Sequence, residues 1–173
     1  MARNKEIEID TRLGRRCIDT DKIVRFPQGL AGFEKEQEFI LLQIRPEAPL
    51  LILQSVHTPV VGLLVADPYS FLERSRFTPV VGAAEKQLLR IDSLEQAAVL
   101  VTVSIPAGAP ADAVLNLTGP IIINHEERVG LQVPQQNADG PQQINMHSLK
   151  PAAAPAGDAS GEQPAAGQED AKR

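Results

Sequence analysis

Tryptophan is absent from this 173-residue chain, tyrosine occurs once, and aromatic residues make up 3% of it. So small a stock leaves few flat side chains on which bases could stack, which argues against direct nucleic-acid binding. Charge argues the same way: 17 Lys and Arg stand against 22 Asp and Glu, a net charge of −5, whereas neutralising phosphates needs clustered cations. An acidic surface fits solubility, or a basic protein partner. Cysteine is nearly missing as well. Cys17 stands alone and cannot close an intrachain disulfide. With no apolar leader after Met1-Ala2-Arg3-Asn4-Lys5, it points to a cytoplasmic protein. No run of about twenty apolar residues occurs, so no membrane span is expected.

What the chain does have is aliphatic: 43% of it is hydrophobic, enough for one domain with a sizeable core. Residues 7–13 alternate apolar and polar, Gly14 turns the chain, and Cys17 and Ile18 open a second strand. Further short apolar runs follow at 23–26, 39–44, 50–56, 60–66, 97–105, 114–117, 121–123 and 131–133, each closed by Gly, Pro, Asn or Asp. Many short strands with few crossover helices predict an all-β, mainly antiparallel sandwich or barrel, whose closure would protect the strand edges. The one helical patch is 83–89, with 93–96 as an extension capped by Ser93, read as one short helix or two turns covering a barrel end. Thr58-Pro59-Val60-Val61-Gly62 recurs as Thr78-Pro79-Val80-Val81-Gly82, but the likeness stops at five residues and marks no true repeat. The domain is expected over 1–149, where alternating Ile144, Met146 and Leu149 form a last strand or docked arm. Residues 150–173 carry no large aliphatic side chain and are expected to be a disordered tail.

Chemistry is harder to find. Ser55, His57 and Asp67 are the one nucleophile–base–carboxylate combination, the basis of an alternative reading as a small hydrolase. They lack both a Gly-x-Ser-x-Gly elbow and an oxyanion loop. His57, His125 and His147 show no metal-ligand spacing, and His125-Glu126-Glu127 reads as a solvated turn, so neither metal nor cofactor is expected. Asp67-Pro68 is a turn opener. Asn116, inside an apolar strand, must either hydrogen-bond or face a partner. The most informative stretch is Phe26-Pro27-Gln28-Gly29-Leu30-Ala31-Gly32-Phe33-Glu34. Pro27, Gly29 and Gly32 set its backbone, and Phe26 and Phe33 can clamp it to a core, which makes a rigid surface suited to protein recognition.

In order, the chain shows that loop, then Leu53-Gln54-Ser55-Val56, Asp67-Pro68-Tyr69, Val101-Thr102-Val103, Asn116-Leu117-Thr118-Gly119-Pro120-Ile121-Ile122-Ile123-Asn124 and Gly130-Leu131-Gln132-Val133. The series, over about residues 6–149, resembles the flagellar assembly factor FliW family. The resemblance implies a small monomeric β-barrel without catalysis. Such a protein binds flagellin and, once flagellin is depleted, captures the translational repressor CsrA and so relieves repression of flagellin mRNA. A flagellin chaperone without CsrA control is the alternative. Gln28, Leu30, Phe33 and Glu34 are assigned to the loop's partner-binding surface, Asp67 and Asn116 to further contacts, and Phe26, Pro27, Gly29 and Gly32 to shaping the loop. The chain departs from the family pattern at Ala31 (usually Pro), His57-Thr58 (an acidic pair), Gly62 (an aromatic), Gly119 (Ala) and His147-Ser148-Leu149 (Arg-His-Pro).

Overall fold

A computed structural model describes residues 5–136 and 142–149; the tail expected over 150–173 lies outside the described residues. The chain opens with a hairpin, β1 (Glu6–Thr11) and β2 (Gly14–Asp19), which forms a sheet of its own. Strands β3 (Val24–Arg25), β4 (Glu38–Gln43), β5 (Leu50–Ser55), β6 (Gly62–Ala66), β7 (Ala98–Ser104), β8 (Val114–Asn124) and β9 (Val129–Gln132) follow, with helix α1 (Ala83–Leu89) between β6 and β7. They pair in the order β8-β7-β6-β5-β4-β3-β9, and β9 returns to β8, closing a seven-stranded barrel. Every pairing in the ring is antiparallel except β3 with β9. The alternating residues 144–149 become β10 (Gln143–Asn145), paired outside the ring to the start of β8, and one 3-10 turn.

Period-two alternation places one face of each strand inside the barrel and the other outside. Phe39, Leu53, Val65, Leu100, Ile121 and Ile123 meet in the interior. The outward residues are covered in three patches. Ile40 packs beneath Ile9 and Ile18 of the hairpin, while Val101, Val103 and Leu115 meet Leu72 and Ile144. Val99, Ile122 and Leu131 lie with Leu89 of α1. An aromatic-poor sequence thus builds a barrel core of branched aliphatics around one ring pair, Phe26 on Phe39.

Two expectations are corrected and one alternative is settled. The runs 114–117 and 121–123 are one eleven-residue strand. Leu100 pairs with Ile121 and Thr102 with Asn116, so residues 117–120 of β8 face the single Val101 and bulge away from β7. Pro120 sits in that bulge, where its missing N–H is not needed by the ladder. The helical patch is two separate turns rather than one helix extended through 93–96, and Ser93 caps the second. Arg90, at φ +56°, ends the helix, and its N–H and that of Ile91 close onto Gln87 and Lys86, leaving 94–96 as a separate 3-10 turn. The strand expected over 60–66 begins only at Gly62, with Val60 79% exposed in the preceding turn.

Candidate functional site

Antiparallel alternation gathers the β3–β4 loop, the β5–β6 turn and the β7–β8 loop at one end of the barrel. The Phe/Pro/Gly stretch is the first of these. Phe26 turns fully inward and packs edge-on against Phe39 at 5.4 Å. Its N–H donates to Gln37 O at 2.7 Å, closing the base of the loop. Gly29 is required twice over: its φ is +66°, and a Cβ there would lie 2.6 Å from Glu34 Cα. Gly32, at φ +81°, has open space around it, so only its conformation matters. The Ala31 N–H donates to Gln132 Oε1 at 2.8 Å, and Gln132 Nε2 donates to Gly119 O, which ties the loop to β8 and β9.

The residue pattern puts Leu30 on the loop surface; the structure buries it in the barrel at 2% exposure, because the Leu30–Phe33 bridge turns its side chain inward. Phe33 is half-buried against the same core. Gln28 and Glu34 are exposed. Asp67 lies at the other end of β6, where its Oδ1 accepts the Tyr69 N–H at 2.8 Å and caps a 3-10 turn. Asn116 is half-buried on β8 and donates to Thr102 Oγ1 at 3.3 Å and to Ser104 Oγ at 3.1 Å, a cross-strand clasp to β7. The six residues assigned to partner binding therefore do not form one patch. Gln28, Phe33 and Glu34 share the loop; Asn116 lies beyond it on β8, in register through Thr102 with Val65, and Asp67 follows the end of β6 two residues after Val65.

Two carboxylates absent from that assignment adjoin the site. Glu36 accepts the hydroxyls of Ser55 and Thr58, each at 2.6 Å, and Glu38 Oε2 meets His57 Nε2 at 2.6 Å. With Glu34 they make an acidic rim that joins the β3–β4 loop to the β5–β6 turn. The Ser55 hydroxyl, followed by that of Thr58, holds the Glu36 carboxyl below its usual range. The Gly32 N–H does the same for Glu34. A depressed folded-state pKa contributes stability that is complete above the unfolded value of about 4.3 and is lost as pH falls through the folded value. Glu36→Gln is therefore expected to melt below the parent at pH 7, with the gap narrowing progressively as the pH is lowered past the unfolded value of about 4.3.

Ser55, His57 and Asp67 do not form a relay. The Ser55 hydroxyl donates to Glu36 and accepts the His57 and Thr58 N–H groups, the His57 ring turns to Glu38, and Asp67 is at the far end of the barrel. The His125-Glu126-Glu127 turn is exposed; Asn124 Oδ1 accepts the Glu126 and Glu127 N–H groups, and Glu127 pairs with Arg90.

The sequence signal for one further residue was present: a polar side chain within the apolar run 50–56. Gln54 is fully buried. Its Nε2 donates to the carbonyls of Ser55, Thr58, Pro59 and Val61, and its Oε1 accepts the Arg12 N–H at 3.1 Å. One amide thus fixes the β5–β6 turn and anchors the hairpin tip beside it.

Comparison with known proteins bears on this architecture. A family model described as FliW protein matches residues 8–146. The chain belongs to the FliW family. A flagellar assembly factor FliW of Desulfovibrio desulfuricans is 76% identical over 151 residues, covering 87% of this chain and 90% of that relative. One from Nitratidesulfovibrio vulgaris is 58% identical over 147 residues, covering 85% and 84%. A crystal structure of the flagellar assembly factor FliW superposes with a TM-score of 0.73 at 32% identity, over 81% of this chain and 96% of that one. The barrel with its short helix is thus a FliW-family fold, in a family of assembly factors rather than an enzyme class. No helix among the described residues is long and apolar enough to cross a membrane.

Proposed function

We propose that this chain is a cytoplasmic, non-enzymatic partner switch in flagellar assembly. It binds flagellin and, when flagellin is exported, binds CsrA and relieves repression of flagellin mRNA. The observation that carries this reading is the acidic rim. Glu34 and Glu36 stand on a loop locked by Gly29, Phe26 and Gln132, Glu38 opens β4 beside it, and hydrogen-bond donors hold Glu34 and Glu36 in the charged form. A repressor that holds RNA must be basic, so a rigid acidic surface on a chain of net charge −5 would steer it and disfavour phosphate nearby. Pre-ordering the loop spares the entropy of fixing it on binding.

A second reading, a flagellin chaperone without CsrA control, is favoured by one observation: the family's acidic pair is here His57-Thr58, and the His57 ring sits on Glu38. Interferometry against immobilised CsrA separates the two. Glu34→Gln keeps an acceptor for the Gly32 N–H while removing the charge, and it is expected to weaken CsrA binding by about tenfold, or 1.4 kcal/mol. Its association rate should fall and lose part of its salt dependence. An unchanged rate and affinity in a variant with the parent's melting temperature would remove the rim from CsrA recognition.

A further inference from the structure

Helix α1 and the β3–β9 edge enclose a groove of about 450 Å³, with Ile23, Pro27, Leu88 and Val129 among its lining residues and Arg25, Arg90 and Arg128 around it. It continues into a narrower slot of about 40 Å³ between Pro27, Leu88, Leu89 and Leu131, backed by Gly130. The slot has room for one small aliphatic side chain. Leu88 is 47% exposed, next to a fully buried Leu89.

Cations collect here in an otherwise acidic chain: three Arg line the groove against two carboxylates, Glu38 and Glu127. Arg90 is paired with Glu127, and Arg128 stands 3.7 Å from Asp21. Arg25 has no carboxylate within ion-pair distance among the described residues. Backbone conformation adds an independent observation. Three non-glycine residues among those described have positive φ, and two of them, Arg90 at +56° and Arg128 at +53°, line this groove. Glycine is the relaxed choice at such positions, so the chain keeps two guanidinium groups there against a conformational cost.

We propose that this groove docks an acidic segment of a partner protein that inserts one apolar side chain into the slot. The arginine rim selects the acidic flanks and the slot selects the anchor. The chain's own residues 150–173 carry Asp158, Glu162, Glu169 and Asp170 but no Val, Leu or Ile, so a branched aliphatic anchor comes from another chain. The groove adjoins the acidic rim through Glu38, which lines both, but it does not depend on the partner switch.

The test is a ¹⁵N correlation titration of the full chain with a short synthetic peptide of Asp, Glu and Ala carrying one central Leu. Saturable shifts at the Leu88, Val129 and Arg25 amides are expected, weakened by at least about tenfold when the peptide Leu becomes Ser or the protein carries Arg25→Glu. Arg128→Gly should also weaken binding while its melting temperature holds or rises, since glycine relaxes the backbone there. Three results would overturn the proposal: no shifts at those amides, an equal response to the same peptide with Lys in place of its acids, or a tenfold gain on deleting residues 150–173, which would make the tail the occupant.

Discussion

Gly130→Ala is expected to destabilise the protein by about 3 kcal/mol, the upper range for overpacking a core, and to lower its melting temperature by roughly 6–12 °C. Gly130 lies on β9 against the face of Phe26, and a Cβ there would sit 2.4 Å from the ring Cζ and 2.5 Å from Cε1. Neither side yields easily. Phe26 is fully buried and held edge-on to Phe39, and β9 is paired with β8 on one side and β3 on the other. The ring must leave its position, and with it the loop it anchors. Two readouts separate this from a generic core defect. The Ala31 and Phe26 amides should lose hydrogen-exchange protection before the amides of β5 do. The double variant Gly130→Ala, Phe26→Leu should recover part of the loss, with a coupling of about 1 kcal/mol or more. Additive effects of the two substitutions would show that the ring and glycine are not in the contact described here.

Gln54→Leu is expected to cost a similar amount, about 3 kcal/mol, although it makes the core more apolar. The substitution leaves the Arg12 N–H and the Pro59 carbonyl without their partner. The Thr58 and Val61 carbonyls each retain a second donor, the N–H groups of Val61 and Ser55. The loss should therefore concentrate in the β5–β6 turn and the tip of the β1–β2 hairpin, measured as faster amide exchange at Arg12 and Val61 and a lower chemical-denaturation midpoint. Gly62 belongs to the same arrangement: a Cβ at that position would meet Gln54 Oε1 at 2.9 Å and Arg12 Cδ at 3.1 Å. The aromatic that the family resemblance leads one to expect at this position would have no room, because a buried amide and Arg12 occupy the space.

Strands were legible from alternation at 7–13 and from short apolar runs bounded by turn residues at 39–44, 50–56 and 97–105, which lie within a residue or two of β1, β4, β5 and β7. The long β8 was not, because Gly119-Pro120 carries a strong local breaker signal, and only the neighbouring strands reveal a bulge where a missing N–H is harmless. The helix was legible from its run of good formers, but its end was not, since Arg90 in the left-handed region is a tertiary choice that composition does not mark. In the loop, the glycines and Phe26 could be read from backbone chemistry. Which way Leu30 faces could not, because a two-residue turn between Leu30 and Phe33 inverts the side-chain alternation. Glu36 and Glu38 escaped notice because their significance lies in Ser55, Thr58 and His57, some twenty residues away and beside them only once β4 pairs with β5.

The proposed function is that this chain serves two partners in turn. Its most direct measurement is a calorimetric titration of the full chain with CsrA from the same organism, repeated on protein saturated with flagellin. Partner switching predicts tight CsrA binding to the free protein and its loss, or a weakening of at least about tenfold, when flagellin is bound. Equal CsrA affinity in the presence and absence of flagellin, or no CsrA binding by a chain that still binds flagellin, would contradict it.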